Sequence, residues 1–204
     1  MPATITGDEH EWVDLGLPSG LKWATCNVGA SKPEEAGDFF AWGETEPKDD
    51  FSMTNYKYGV WHGPKRRFFG VKYVDDGDFG IYDCKRELDP EDDAATANWG
   101  SKWRMPTMDE IEELSDNCTW EVKELNGAMV YKVTSKTNGN SLLLPLAGCK
   151  YDFGPGDLDV GFYWSSSLVW EKPHLAHFAF FSKNHRWKDT IERCFGQLVR
   201  PVLK

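Results

Sequence analysis

Three histidines near the C-terminal end are the first residues whose type and spacing could support chemistry. His174 and His177 are three residues apart, and His185 follows them. Neutral imidazole is a common metal ligand, but protein metal sites usually add thiolate or carboxylate ligands, and none stands at ligand spacing here. The pattern favours surface histidines over a metal site, which is the alternative. We expect no metal and no cofactor.

The five cysteines are the next residues able to bind metal or to change redox state. They are scattered, and no pair has the CxxC spacing of a zinc cluster or a redox pair. An odd number leaves at least one thiol outside any disulfide of a monomer. We expect free, mostly buried thiols, with one or two disulfides as the alternative, at Cys26, Cys84, Cys118, Cys149 and Cys194.

Common catalytic motifs are absent from the sequence. It contains no GxSxG, HExxH or P-loop pattern, and no base adjoins the serine run at 165–167. The acidic residues between 75 and 83 lack the spacing of an EF-hand loop. These observations favour a binding protein over an enzyme, and we expect no catalytic residues.

Charge and hydropathy argue against two classes of partner. Asp and Glu number 33 against 23 Lys and Arg, which gives a net charge of −10. Such a surface repels phosphate backbones, so we expect no nucleic-acid partner. No apolar run approaches the roughly 18 residues that a membrane helix needs, so we expect no membrane insertion. Ten tryptophans and an apolar fraction of 40% can supply the core of a single domain over residues 1–204.

The first part of the chain carries turn and helix-start signals. A Pro-Ser-Gly turn predicts a hairpin over 13–24. The capping-box spacing of Ser31 and Glu34 predicts one helical turn that Gly37 ends, followed by a buried aromatic cluster at 39–42.

The middle of the chain combines a long irregular stretch with the clearest helix. Residues 48–88 lack sustained periodicity and are interpreted as an elaborated insertion. Asp89 and the proline after it predict a short helix that ends near Gly100. A second helix is predicted over Thr107–Cys118, because Thr107 and Glu110 form a capping box and apolar residues then recur every 3.6 residues.

Strands dominate the rest of the chain. Asn138-Gly139 is a type I′ turn signal and predicts a hairpin over Tyr131–Leu144. Alternation over Phe178–Ser182 and an apolar segment at 198–202 predict further strands. Helices followed by strands indicate an α+β fold with a mixed or antiparallel sheet and long irregular loops. We expect the second helix to pack on one sheet that holds both the hairpin and the closing strand, the latter close to the first strand.

Six segments stand out as a set: VDLGLPSGLKWATCNVGA, GDFFAWGET, EDDAATANWGSKWRMPT, YKVTSKTNGNSLLLPLAG, YWSSS and GQLVRPV. They span nearly the whole chain and resemble the major paralogous domain family of gut bacteria and their phages. The segment WRMPTMDEIEEL is also similar, more distantly, to the Arg-Leu-Pro-Thr helix of sulfatase-modifying-factor proteins. This similarity implies the C-type-lectin-like fold, with an insertion at 48–88 that is longer than usual.

Several proteins of this fold are the variable proteins of diversity-generating retroelements, in which a reverse transcriptase rewrites adenines near the 3′ end of the gene. Mutagenesis of AAC codons gives NNC codons, which never encode Trp, Lys, Glu, Gln or Met. The resemblance implies a variable ligand-binding region at about 169–195, and an unvaried paralogue is the alternative. The candidate ligand-binding residues, all of NNC-encodable type, are Val169, His174, Leu175, His177, Ala179, Phe181, Asn184, Arg186, Asp189, Thr190, Ile191, Cys194 and Phe195.

Strand alternation supports such a surface independently. Framework residues from Phe178 to Ser182 occupy one face of a strand, so Ala179 and Phe181 project to the other face. Contiguous exposed apolar groups mark binding sites, and the alternative is that Phe181 and Ile191 belong to the core. The apolar groups expected to be exposed are Leu175, Phe181, Ile191 and Phe195. The expected framework residues include Trp164, Trp187 and Arg193.

The sequence therefore predicts a ligand-binding recognition protein of the cell surface, the extracellular space or a phage virion. Its partner is an unknown protein or cell-surface ligand, and its oligomeric state stays open. An enzyme of the sulfatase-modifying type needs two nearby cysteines to hold copper(I), and Cys194 has no neighbour closer in sequence than Cys149. Calcium-dependent sugar binding is disfavoured, because Lys172 and Lys188 stand where oxygen ligands are needed. A purely structural surface paralogue is a third possibility.

Overall fold

The computed structural model describes residues 10–63, 67–151, 154–155, 159–183 and 185–203. In these residues the chain has an α+β fold of mostly antiparallel strands with two α-helices, which confirms the predicted class. No helix in the described ranges combines the length and apolarity that a membrane span needs. The elements are β1 (Trp12–Asp14), β2 (Lys22–Ala24), β3 (Gly59–His62), β4 (Arg67–Gly70), α1 (Ala94–Trp99), β5 (Trp103–Arg104), α2 (Met108–Asn117), β6 (Cys118–Leu125), β7 (Ala128–Ser135), β8 (Ser141–Pro145), β9 (Lys150–Tyr151), β10 (Gly154–Pro155), β11 (Val160–Leu168), β12 (Leu175–Ser182), β13 (His185–Glu192) and β14 (Val202–Leu203).

Helix α2 begins where the sequence predicts it. The Thr107 hydroxyl accepts the Glu110 N–H at 3.3 Å, and the Glu110 carboxylate accepts the Thr107 N–H at 2.8 Å, which completes the capping box. Ile111 and Leu114 are buried on one side of the helix. The Arg104 guanidinium donates to both carboxylate oxygens of Glu110, at 2.5 and 2.7 Å, so the helix start is tied to β5.

The first and last described strands lie in one four-stranded sheet, in the order β1-β2-β14-β5. β1 and β2 form the predicted hairpin, and Val202 of β14 pairs with Trp23 of β2, so the closing strand does lie near the first. The prediction that the hairpin at 131–144 shares this sheet is wrong. β2 and β5 occupy the two edges of β14, so β14 has no free edge with which the hairpin could pair. The hairpin instead joins β6 in a separate sheet, β6-β7-β8.

Strands β7 and β8 form the predicted hairpin, but its turn is wider than the predicted two-residue turn. Five residues, 136–140, connect the strands. The Ser135 hydroxyl accepts the N–H groups of Thr137 and Asn138, at 3.0 and 3.3 Å, and holds the loop open. The side-chain amides of Asn138 and Asn140 both donate to the Asp14 carbonyl, at 3.0 and 2.8 Å. Contacts to β1 therefore replace the tight turn.

Two helix starts of the first half differ from the prediction. Residues 31–37 form a turn rather than a helix, because the Glu35 carboxylate accepts the N–H of Ser31 at 2.9 Å and closes the segment by itself. Helix α1 ends before Gly100 as predicted but starts later than expected. Its cap is Asp93, whose carboxylate accepts the Thr96 N–H at 2.9 Å, and a 3₁₀ turn at 90–92 precedes it.

Residues 48–88, predicted from the sequence to be an insertion and called the insertion below, are more ordered than their sequence pattern indicates. Strands β3 and β4 form an antiparallel hairpin inside it. The fully buried guanidinium of Arg193 anchors the insertion, as a framework residue would. Its five hydrogen bonds, of 2.7–3.4 Å, go to the Tyr56 hydroxyl and to the backbone carbonyls of Tyr58, Lys72, Tyr73 and Pro173.

The sheet β11-β12-β13 separates two hydrophobic cores. Trp164 and Phe178 point into one of them, which also contains Trp42 and is called the tryptophan core. Tyr163 and Phe181 point the other way, into the helix core formed with α2 and the β7–β8 hairpin. Successive strand residues face opposite sides of a sheet, so β12 is covered on both faces.

Candidate ligand-binding site

The β12–β13 hairpin carries most of the predicted site residues. Strand pairing sets Phe181 opposite Arg186 and His177 opposite Thr190, and alternation divides the predicted residues between two faces. The helix-core face carries Leu175, His177, Ala179, Phe181, Arg186 and Thr190, and the tryptophan-core face carries Asp189 and Ile191. The structure thus gathers these residues on one hairpin but not on one surface.

Exposure on this hairpin is concentrated in His185–Asp189, the first five residues of β13. β13 is the edge strand of its sheet, so few atoms cover either of its faces at this end. Of the predicted residues, Arg186 and Asp189 are exposed, while Thr190 and Ile191 are half-buried. Leu175 and His177 of β12 are half-buried as well. These six residues keep the solvent access that ligand contact requires.

Ala179 and Phe181 are buried, which contradicts their expected exposure. Their exposed fractions are 1% and 3%. The Phe181 ring lies 4.8 Å from Trp120 and 5.8 Å from Tyr163, measured between ring centroids, so side chains of β6 and β11 cover it. The two residues support the hairpin from within the helix core.

Cys194 and Phe195 are also buried, at 0% and 8% exposure, and their expected place on the binding surface is wrong. After β13 the chain turns inward, with the Phe195 N–H donating to the Glu192 carbonyl at 3.2 Å. The Phe195 ring then meets Tyr151 edge-on at 5.0 Å. Both residues therefore belong to the tryptophan core.

The remaining predicted residues flank the hairpin. Val169 is half-buried in the connection between β11 and β12. His174, at the end of that connection, is half-buried and its ring lies 5.9 Å from Phe79 of the insertion. Burial lowers the pKa of His174. Asn184 lies outside the described residues.

Trp187 is exposed rather than part of the framework. Its exposed fraction is 44%, and it stacks on Phe180 with a centroid distance of 4.2 Å. Phe180 and Trp187 face one another across the strand pair, and at 44% exposure Trp187 has no complete covering layer among the described residues. Trp187 therefore joins the candidate site as a large amphipathic contact residue.

A groove of about 220 Å³ lies between α2 and the β12–β13 hairpin. Ala179 and Phe181 line this groove, so these two buried residues lie just beneath the protein surface. Polar residues of α2 form one wall, namely Glu112, Ser115 and Asp116, and Arg186, Trp187 and Lys188 form the other.

The groove carries opposite charges on its two walls. The Lys188 ammonium forms an ion pair with Glu112, and this hydrogen bond raises the pKa of Lys188. Burial, followed by the nearby Lys188 charge, lowers the pKa of His177, so its imidazole is neutral at pH 7. The Arg186 guanidinium lies over the Trp120 ring at 5.3 Å. Such a groove can bind a ligand that offers both polar and apolar groups.

Sequence reasoning did not identify the α2 wall of the groove. A signal exists, because Glu112, Ser115 and Asp116 fall at helical spacing along the flank of the helix beside the buried Ile111. A polar helix face is ordinarily solvated, so its spacing alone does not reveal a binding wall. It is the contact of α2 with β13 that makes this helix face a wall of the groove.

Within the described residues, one acidic cluster brings its carboxylate oxygens close enough together to hold a metal ion, and it consists of Asp89, Glu91 and Asp92. The Lys72 ammonium already pairs with all three carboxylates, at 2.8, 3.3 and 2.5 Å. The Lys72 ammonium therefore offsets part of the negative charge of this cluster.

The cysteines of the described chain differ in environment. Cys84 is exposed, and burial raises the pKa of Cys118 to about 11, which keeps its thiol protonated. Cys149 and Cys194 are both buried in the tryptophan core.

No protein-family model, curated protein or solved structure matches this chain. The candidate site is thus defined by its own geometry.

Proposed function

We propose that this chain is a ligand-binding recognition protein on a C-type-lectin-like scaffold. The observation that carries the proposal is the exposed run His185–Asp189 beside a strand, β12, whose two faces are buried in separate cores. The proposed binding surface combines this run with the groove against α2. An exposed and chemically mixed strand on a rigid support is suited to recognition.

Three features support the C-type-lectin-like scaffold. The closing strand β14 pairs beside the first hairpin, as that fold class requires. Helix α2 begins at Met108, inside the segment that resembles the sulfatase-modifying-factor helix. Long irregular segments connect short strands, above all between β2 and β3.

Solvent access narrows the set of proposed ligand contacts. Ala179, Phe181, Cys194 and Phe195 support the surface from below and are omitted from it. Trp187 joins the set as an aromatic group that NNC codons cannot encode, so it would stay constant in a varied surface. The proposed contacts among the described residues are Val169, His174, Leu175, His177, Arg186, Trp187, Asp189, Thr190 and Ile191.

We propose a protein or another cell-surface molecule as the ligand, bound without catalysis. Trp187 and Arg186 are of the residue types that dominate binding energy at protein interfaces. The corresponding location is the cell surface, the extracellular space or a phage virion. In this proposal the surface is diversified by a retroelement, and the codons for residues 169–195 are its target.

The DNA around the gene tests diversification. We expect a reverse-transcriptase gene nearby and an imperfect repeat of the codons for residues 169–195. In sequences from many cells, substitutions should fall at adenines and spare the codons for Phe178 and Arg193. Absence of both the reverse transcriptase and the repeat would favour an unvaried structural paralogue.

A pair of displayed libraries tests the surface itself. One library randomises His177, Arg186, Asp189 and Thr190, and the matched library randomises the four buried residues at 179, 181, 194 and 195. Resistance to protease reports the folded fraction of each. We expect most members of the first library and few of the second to fold, because surface changes usually cost less than about 0.5 kcal/mol. Equal folded fractions would contradict the proposed surface.

A further inference from the structure

Strand β13 is the outer strand of its sheet, and its ladder with β12 shows which of its backbone groups point away from the sheet. In an antiparallel ladder, residues that exchange hydrogen bonds with the partner strand alternate with residues whose N–H and C=O groups point the other way. The Arg193 N–H donates to the His174 carbonyl at 3.1 Å, which extends the regular β12–β13 register by one hydrogen-bonded pair. Counted back in steps of two, the backbone of Trp187 faces β12, whereas the backbone groups of Arg186 and Lys188 point outward.

Two contacts of other outward-pointing groups agree with this direction. The Thr190 N–H donates to the Asp189 carboxylate at 2.8 Å, and the Glu192 carbonyl accepts the Phe195 N–H at 3.2 Å. Among the described residues, no backbone group pairs with the outward N–H and C=O groups at 186 and 188. The exposed half of β13 therefore presents backbone donors and acceptors in the geometry of a strand.

The opposite edge of the same sheet, at β11, is covered. The Trp164 N–H donates to the Leu198 carbonyl at 3.0 Å, and the Leu168 N–H donates to the Arg86 carbonyl at 2.8 Å. A further bridge joins Gly148 to β11 near the start of that strand. Within the described part of the chain, only the β13 side of this sheet is open to another strand.

β13 also lacks the features that usually keep an edge strand from pairing, namely proline, bulges and projecting charges. It contains no proline, and its register with β12 runs without a bulge over eight residues. Lysine is the residue type that most often protects an edge, but the Lys188 ammonium is turned to Glu112 of α2 in an ion pair. The Arg186 guanidinium lies over the Trp120 ring. Both cations are therefore held on the helix-core side of the strand.

A row of aromatic side chains crosses the sheet and ends at this edge. Phe162 of β11 pairs with Phe180 of β12, and Phe180 pairs with Trp187 of β13. The ring centroids are 5.2 and 4.2 Å apart. Exposure rises from 5% at Phe162 to 44% at Trp187. A strand added beside β13 would place its own side chain next in this row, and aromatic cross-strand pairs stabilise sheets.

We propose that β13 takes its ligand by strand addition: an extended segment of a protein partner pairs along residues 186–190 and places an aromatic side chain beside Trp187. This inference rests on the recognition surface proposed above and names the form in which that surface takes its ligand. Main-chain hydrogen bonds give affinity in this mode, and side-chain contacts give specificity. Strand addition suits a surface whose side chains vary, because the backbone keeps its donors and acceptors when its side chains change.

A displayed library of random eight-residue peptides, the length of β13, is the probe. Selection on the full chain should enrich extended peptides that carry an aromatic residue. The tightest peptide is then synthesised with a single backbone N-methyl group at each position in turn. Because N-methylation removes one N–H, we expect affinity to fall at least about tenfold at every second position. Failure to enrich any peptide, or losses without this alternation, would overturn strand addition.

A double-mutant cycle tests the aromatic contact. Replacing the aromatic residue of the peptide by alanine should weaken binding to the wild type roughly two- to tenfold. The same replacement should have little effect on binding to Trp187→Ala, because the ring beside it is already gone. Equal losses against both proteins would contradict the placement of this residue beside Trp187.

Proline substitution tests the edge from the side of the protein. Lys188→Pro removes an outward N–H but no hydrogen bond to β12, and Lys188→Ala removes the same side chain while keeping the N–H. We expect Lys188→Pro to bind the peptide at least about fivefold more weakly than Lys188→Ala. The control is Glu124→Pro in the edge strand β6, where counting from the hydrogen bond between Lys136 and Asn117 also gives an outward N–H, and affinity should not change.

Circular dichroism checks the folding of the three variants, and the N-methyl scan decides the matter if Lys188→Pro does not fold. Equal binding by Lys188→Pro and Lys188→Ala, or an equal loss in Glu124→Pro, would overturn strand addition at β13. Peptide binding that depends on Arg186 and Trp187 but shows no alternation would also overturn it, while leaving a recognition surface that reads side chains alone. The tests of the proposed function use no peptide, so the two proposals can fail separately.

Discussion

Truncation of Phe181 to alanine is expected to destabilise the protein far more than truncation of Trp187. Phe181 is buried between Trp120 and Tyr163, so Phe181→Ala removes a full side chain and leaves a cavity, at about 3–5 kcal/mol. Trp187 is 44% exposed, stacks on Phe180 and meets the exposed His185 ring at 5.3 Å. Loss of that stack and of partial burial should cost roughly 1–2 kcal/mol.

Thermal and urea unfolding followed by far-ultraviolet circular dichroism measure the difference. Fluorescence is unsuitable, because Trp187→Ala removes a fluorophore. A loss of 1 kcal/mol lowers Tm by about 2–4 °C in a chain of this size, so Phe181→Ala should lower Tm by about 6–20 °C and Trp187→Ala by about 2–8 °C. Trp164→Ala is the control for a fully buried residue, since the Trp164 indole is 0% exposed and donates to the Phe40 carbonyl at 2.7 Å.

Two outcomes would refute this reasoning. If Trp187→Ala destabilises as strongly as Trp164→Ala, then a further layer covers β13 and the exposed run is not a binding surface. If Phe181→Ala costs less than about 1 kcal/mol, then Phe181 behaves as a surface residue. The first result would return Trp187 to the framework, and the second would return Phe181 to the binding surface.

Three further predictions concern contacts elsewhere in the fold. Burial raises the pKa of Glu110, but hydrogen bonds from Arg104 outweigh it and bring the pKa below the usual 4.5. The ionised carboxylate therefore stabilises the fold above that pH, and this stability is lost as the pH falls through the lowered pKa. In thermal melts from pH 7 to pH 3, Glu110→Gln should lose less stability on acidification than the wild type does. Arg193→Lys keeps the charge but cannot satisfy five acceptors, so limited proteolysis of the insertion should be at least about tenfold faster, and an unchanged rate would contradict the anchor. Gly80 has a φ of +144°, and Gly80→Ala would place a Cβ 2.1 Å from the Gly70 carbonyl oxygen. The backbone amides of β4 should therefore exchange hydrogen faster in this variant than in the control Gly77→Ala, whose Cβ meets open space.

Local sequence signals predicted the elements whose hydrogen bonds close within a few residues. The Thr107–Glu110 capping box is such an element, and α2 starts at its predicted place. The same pattern at Ser31 failed, because a carboxylate one residue further along closed a turn without a helix. The tight turn predicted at Asn138-Gly139 failed for a non-local reason, since the loop donates to the Asp14 carbonyl of β1.

The candidate site shows what strand periodicity can and cannot predict. Alternation correctly assigned Phe178 and Phe181 to opposite faces of β12. It could not show that both faces are buried, because Trp120 comes from a distant part of the chain. Trp187 was expected inside since tryptophan is usually well buried, but the edge position of β13 overrides that tendency. Exposure is therefore a property of the layers around a strand rather than of the strand's own residues.

The anchor formed by Arg193 has a consequence for how the insertion can change over evolutionary time. Four of its five acceptors are backbone carbonyls, and the fifth is the Tyr56 hydroxyl. Every residue type carries a backbone carbonyl, so the identity of residues 58, 72, 73 and 173 matters less to the anchor than the path of their backbone. These hydrogen bonds thus specify a backbone path, whereas the rings of Tyr56, Phe68 and Tyr73, 5.2–6.0 Å from the guanidinium, add a requirement for aromatic side chains. A segment of different sequence would fit the same scaffold if it returned both its carbonyls and its aromatic rings to this guanidinium.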